Sequence, residues 1–228
     1  MLPMQNLPLP TATLAKLASF ARSGGLLIDL DGTIINSEAG HQALYAEFFA
    51  AQGWQVSAEL RRQFSGRRAA DSFRLLPGPW QGQDPQELEA AAYAFMLPRE
   101  PDPEPVPGAR ELVESFSAVC VVTSALRHWA ERGVRTVGLD PTSLQFVTAE
   151  TTTLGKPDPE PYRLGAAALN LPPARCLAVE DTPAGLHSAR QAGCGFLIGL
   201  ATSHAPQALQ AAGADLVVPT PAELLPLG

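Results

Sequence analysis

Two carboxylates with one residue between them, Asp29 and Asp31, close the apolar run that begins at Leu26 and stand just ahead of Gly32-Thr33. An apolar stretch bounded by a turn signal reads as a buried strand of a parallel sheet. Two like charges buried at its end are costly without compensation, and a divalent cation is the simplest compensation. Alone, the segment also reads as a strand running into an Asp-Gly turn. Three more segments favour the chemical reading. Val119 to Val122 is a second apolar run and ends in the hydroxyls of Thr123 and Ser124. Lys156 stands in Leu154-Gly155-Lys156-Pro157-Asp158-Pro159, a rigid turn ahead of a helix. Cys176 to Val179 is a third apolar run and ends in the adjacent acids Glu180 and Asp181. A carboxylate nucleophile, hydroxyl donors, one fixed cation and metal-type carboxylates thus follow one another along the chain. Taken singly, Thr123 reads as a helix cap and Lys156 as a solvated side chain.

The elements that must hold these groups are legible. Strand signals near 25–30, 118–123, 144–148, 175–180 and 195–199 alternate with helical patterns, which argues for an α/β fold with a Rossmann-like parallel sheet and right-handed crossovers. Thr182-Pro183 and Asp158-Pro159 read as N-caps followed by proline at the first helical position. The alternation fails between about Asn36 and Glu104, where 41–51, 59–75 and 85–97 read as helices and 98–105 as a Pro-rich hinge. We therefore expect a core formed by residues 1–35 and 105–228, with a helical insertion at 36–104. Within the core, residues 1–24 form an extension with a helix at 11–22, and Met1 to Pro10 is expected to be loose.

Composition excludes several roles. A formal net charge of −7, from 16 basic and 23 acidic residues without a basic run, argues against nucleic acid. No apolar run is long enough for a membrane span, and the first residues lack the order of a signal peptide. Three scattered cysteines fit buried free thiols in a reducing cytoplasm. A monomer or weak homodimer is expected.

Together, Asp29-Leu30-Asp31-Gly32-Thr33, Thr123-Ser124, Gly155-Lys156-Pro157 and Glu180-Asp181 resemble the motifs of the haloacid dehalogenase-like phosphohydrolase superfamily. The resemblance runs from Gly25 to about Leu200, with a gap across the insertion. It points to the branch of beta-phosphoglucomutase-like proteins and small sugar- or polyol-phosphate phosphatases, in which the insertion is a cap over the site. The resemblance implies Asp29 as nucleophile and Asp31 as general acid/base. Dehalogenases lack this second aspartate, so Asp31 points to phosphate chemistry. It further implies Mg²⁺ held by Asp29, the Asp31 carbonyl and Asp181. Glu180 binds the ion, holds its water or faces away. Thr123, Ser124 and Lys156 are implied to hold the phosphoryl group. In the insertion, Arg68 falls where such phosphatases place an arginine near the substrate, and His41 where the mutase group places a histidine. Each is also consistent with a solvated or structural role. Arg127 fits the phosphatase pattern, and Ala69 stands where the mutase has an arginine for a distal phosphate. His128, His187 and His204 show no partner spacing. The implied function is a Mg²⁺-dependent phosphatase of a small phosphorylated metabolite acting through an aspartyl-phosphate. The alternatives are a phosphosugar mutase and a non-catalytic phosphometabolite-binding module.

Overall fold

The computed structural model describes residues 9–100 and 102–225. Most of the Met1 to Pro10 segment expected to be loose, and Pro101 of the expected hinge, lie outside the described residues. Six strands form one parallel sheet: β1 (Gly25–Ile28), β4 (Val119–Val122), β5 (Gln145–Val147), β6 (Cys176–Glu180), β7 (Phe196–Leu200) and β8 (Leu216–Val218). A separate ribbon pairs β2 (Ile35–Asn36) with β3 (Glu104–Pro105). The six-strand order is β5-β4-β1-β6-β7-β8. The order reverses direction about β1, so a crevice opens above the carboxyl ends of β1, β4 and β6, where open α/β sheets bind ligands.

Every residue of β1, β4, β6 and β7 is buried, as expected for strands covered on both faces. One apolar cluster, containing Leu26, Val121 and Val179, lies on one face, and a second, containing Leu27, Cys120 and Ala178, on the other. The flanking helices are α1 (Thr11–Ser23), α6 (Ala109–Glu114), α7 (Arg127–Thr136), α8 (Glu160–Ala168), α9 (Pro183–Ala192) and α10 (Pro206–Ala211). Helix α1 buries Leu17 completely against the core. The cysteines are free and buried. Thr182 caps α9 by accepting from the Gly185 amide. Helix α8 begins one residue later than expected, because Asp158 accepts from the Glu160 amide and Pro159 is the cap position.

Between β2 and β3 lie the helices α2 (Glu38–Ala51), α3 (Ala58–Arg62), α4 (Ala69–Leu75) and α5 (Pro85–Met96). The expected helix over 59–75 is two helices, because the chain turns at Gly66 with φ +72. The insertion has its own core of Phe48, Phe49, Phe64, Phe73 and Trp80, with Phe49 stacked on Trp80 at 5.4 Å between ring centres. Among the described residues no helix is long and apolar enough to cross a membrane.

Candidate active site

Asp29 continues β1 into the crevice, its amide donating to the Val179 carbonyl at 3.0 Å. Lys156 meets it there from the turn before α8. The ammonium donates to Asp29 Oδ1 at 2.5 Å, to Glu180 Oε1 at 2.5 Å and to the Val122 carbonyl at 2.9 Å. All three protons of a lysine only 1% exposed are thereby used. Glu180 faces inward, which settles its orientation. Oε1 also accepts from the Tyr162 hydroxyl, and Oε2 from the Thr182 hydroxyl and amide. Gly185 makes room for that carboxyl, since a Cβ there would stand 1.9 Å from Glu180 Cδ.

Asp29, Glu180 and Asp181 each bring a carboxylate oxygen within 4.8 Å of the other two. Glu180 is saturated, but among the described residues neither oxygen of buried Asp181 has a hydrogen-bond partner. One ammonium does not balance three buried carboxylates. Burial, opposed by the Lys156 charge and reinforced by Glu180 and Asp31, pushes the Asp29 carboxyl up to about 8. Burial and the Asp29 and Glu180 charges likewise raise Asp181 well above the usual carboxylate range. Burial works to lower Lys156, but Asp29 and Glu180 outweigh it and hold the ammonium above its ordinary value. A carboxylate with two orphaned oxygens beside Asp29 is an oxygen-only donor set that fits a hard divalent cation.

Asp31 follows Asp29 across the turn. Its Oδ1 accepts from Ser37 Oγ at 2.5 Å and from Trp129 Nε1 at 2.9 Å, with His41 Nδ1 at 3.8 Å. Gly32 lets the turn close over Asp181: its φ is +81, and a Cβ there would stand 2.1 Å from Asp181 Oδ2. The Thr123 hydroxyl accepts from the Ala125 amide. Ser124 donates to the Gly66 carbonyl of the insertion at 3.0 Å, and Leu126, not Thr123, is the cap position of α7.

Asp29, Asp31 and Thr123 form the floor of a cavity of about 200 Å³, and the insertion supplies Glu38, His41 and Arg67 to its other wall. Arg68 is not among the lining residues. Its guanidinium donates to Asp71 at 2.9 Å and to the carbonyls of Thr152 and Thr153 at 3.0 and 2.7 Å, which ties the insertion to the loop before Lys156. Arg127 pairs with Glu131 and covers the Phe146 ring, outside the cavity. His128 lines the cavity, and His204 Nδ1 lies 3.1 Å from the Asp181 carbonyl. Sequence reasoning missed Trp129, Tyr162 and Arg67. An indole or phenol inside an amphipathic helix carries no signal that its polar atom meets a carboxylate.

A family model described as haloacid dehalogenase-like hydrolase matches residues 25–193. The chain is 37% identical to the validoxylamine A 7'-phosphate phosphatase of Streptomyces hygroscopicus subsp. limoneus, over 84% of this chain and 91% of that protein. It is 32% identical to hexitol phosphatase A of Escherichia coli, over 76% of this chain and 81% of that one. A hydrolase from Pseudomonas syringae shares the fold with a TM-score of 0.76 at 24% identity, covering 89% of this chain and 96% of its own.

Proposed function

This chain belongs to the haloacid dehalogenase-like hydrolases, and on that premise we propose that it is a Mg²⁺-dependent phosphatase of a small sugar or polyol phosphate. The observation that carries the reading is Asp29, on the floor of a cavity that also presents Asp31, bonded to the buried Lys156–Glu180 pair and beside Asp181, whose carboxylate has no hydrogen-bond partner among the described residues. Two relatives whose names specify phosphorylated polyhydroxylated compounds support the substrate class.

Asp29 and Asp181, with the Asp31 carbonyl, would hold the ion, while Glu180, already bonded to Lys156, Tyr162 and Thr182, supports the arrangement. Bound there, Mg²⁺ supplies charge neutralisation that lets an anionic carboxylate approach an anionic phosphoester. Asp29 attacks phosphorus and becomes an aspartyl-phosphate. Lys156 keeps the attacking oxygen in place and offsets charge on the phosphoryl oxygens. Thr123 and Ser124 border the phosphoryl position from the end of β4. Asp31 gives a proton to the departing alkoxide, then takes one from the water that cleaves the aspartyl-phosphate. The insertion excludes bulk water and grips the rest of the substrate. His41 and Arg67 line that wall, and Arg68 holds it to the core. Ala69 also lines the cavity, so no cation stands there for a second phosphate, which favours hydrolysis over a mutase cycle.

The test is release of inorganic phosphate from a panel of sugar and polyol monophosphates with Mg²⁺, beside Asp29→Asn. Turnover of at least one panel member is expected, with a loss of about 10³-fold or more in the variant. Chelation is expected to abolish it. Retained turnover in Asp29→Asn, or in excess chelator, overturns the assignment.

A further inference from the structure

We propose that Trp129 is a positioning residue for Asp31: its indole N–H holds Oδ1 of that carboxyl and thereby presents Oδ2 to the departing oxygen of the substrate. The inference rests on the phosphatase reading above and adds a residue to it.

Three groups converge on one oxygen of Asp31. Ser37 Oγ and Trp129 Nε1 donate to Oδ1, and His41 Nδ1 lies 3.8 Å from the same atom. Among the described residues no hydrogen bond reaches Oδ2, and Asp31 lines the cavity. An indole N–H is a donor only. Two donated bonds occupy Oδ1, so Oδ2 is the oxygen left free to carry a proton and hand it over.

The two donors are not equivalent. Ser37 belongs to the crossing into the insertion, and its hydroxyl rotates freely about one bond. Trp129 belongs to α7 of the core and is 3% exposed. Its ring lies 5.3 Å from the His41 ring on α2, and the Arg132 guanidinium lies over it at 5.5 Å. Arg132 is in turn paired with Asp102 and stands 3.9 Å from Glu100, on the second crossing. Contacts on both sides leave the indole one orientation, the condition for a group that orients another. A phenyl ring would fill much of the space and leave Oδ1 to the rotating hydroxyl.

In the first half of the reaction the ester O–P bond breaks as the Asp29 oxygen–phosphorus bond forms. The electron pair goes to the leaving oxygen, and the proton on Asp31 Oδ2 follows it. An alkoxide needs that proton, whereas a nitrophenolate leaves without it. The positioning role therefore predicts a dependence on leaving group that a purely structural role does not.

The experiment measures kcat/KM with Mg²⁺ for monoesters from p-nitrophenyl phosphate to glycerol and hexitol phosphates. The proteins are the wild type, Trp129→Phe, and Trp129 replaced site-specifically by 3-benzothienylalanine, which keeps the bicyclic shape and lacks the N–H. This ratio reads only steps up to departure of the alcohol, so the later role of Asp31 does not enter. Loss of about 10- to 100-fold on alkyl esters, with under about threefold on the nitrophenyl ester, is expected in both variants. The benzothienyl protein decides the matter if Trp129→Phe does not fold. Equal losses across the series, or none, overturn the proposal while the phosphatase reading stands. A wild type inert to the whole series overturns both.

Discussion

Lys156 Nζ and Glu180 Oε1 stand 2.5 Å apart in a place where neither side chain meets water. Glu180 is in turn fixed by Tyr162 and Thr182, so the ammonium that reaches Asp29 is anchored from behind. Lys156→Met removes the one cation that, among the described residues, is bonded within this group of three buried carboxylates. We expect a loss of about 3–5 kcal/mol in urea unfolding, together with the activity. Glu180→Gln, which leaves Lys156 its bond to Asp29, should cost less, about 1–3 kcal/mol. Equal stability of wild type and Lys156→Met would mean that the acids take up protons at no net cost.

The proposed metal dependence carries a pH signature. The Asp29 carboxyl is pushed up to about 8, mainly by burial, against about 3.9 in an unfolded chain. Between these values the folded protein binds more protons than the unfolded one. The contribution of Asp29 to the stability of the metal-free protein is thus fully present below about pH 4 and is lost as the pH rises toward 8. Mg²⁺ takes the deprotonated carboxylates, so the melting-temperature rise it produces should be larger at pH 8 than at pH 5.5. Thermal melts at both values, with and without Mg²⁺, check this. A rise that is constant or larger at the acid end contradicts it.

Gly66 packs the insertion against Thr182 and Ser124 of the core. Its φ is +72, and a Cβ there would stand 2.5 Å from Thr182 Oγ1. Gly66→Ala should hold the insertion off the core and lower kcat/KM by about 10- to 100-fold, at a strain of about 1–3 kcal/mol that lowers the melting temperature by about 2–12 °C. Unchanged kinetics would show that this contact is dispensable for turnover.

The two arginines after Gly66 should separate in function. Arg67 lines the cavity, whereas Arg68 is bonded to the Thr152 and Thr153 carbonyls. Arg67→Ala is expected to impair the polyol phosphate about tenfold and an aryl phosphate little. Arg68→Ala should impair both by similar factors through closure. Steady-state kinetics on the two substrates distinguishes the pair. Selective loss in Arg68→Ala would return the substrate contact to that residue.

The strands β1, β4 and β6 under the site are legible in the chain because every residue of each is buried and each ends in or runs into a polar residue. Asp29, Thr123 and Glu180 stand at such ends, and Lys156 is set by the prolines around it. Where the chain turns, that logic gives out. Adjacent Arg67 and Arg68 are indistinguishable by type, and the direction of each depends on the left-handed turn at Gly66, which composition does not reveal. Trp129 is hidden for another reason. At helical spacing a tryptophan reads as core, and most of its surface is core, so its one polar atom leaves no trace in the pattern. The paired aromatic rings of the insertion are likewise a product of tertiary packing rather than of local periodicity.

The two-stranded ribbon places Asn36 opposite Glu104 in antiparallel register. The ends of the inserted segment are thereby only about 5 Å apart. To the sheet, everything between them is a single surface excursion whose length hardly matters, since each doubling of such a loop costs only about 0.6 kcal/mol of closure entropy. Asp29, Asp31, Glu180, Asp181 and Lys156 all lie outside that excursion. What the excursion does supply is local: Ser37 and His41 beside Asp31, and the Gly66 carbonyl for Ser124, so an exchange of the insertion at the ribbon keeps the carboxylates and the lysine and changes those contacts.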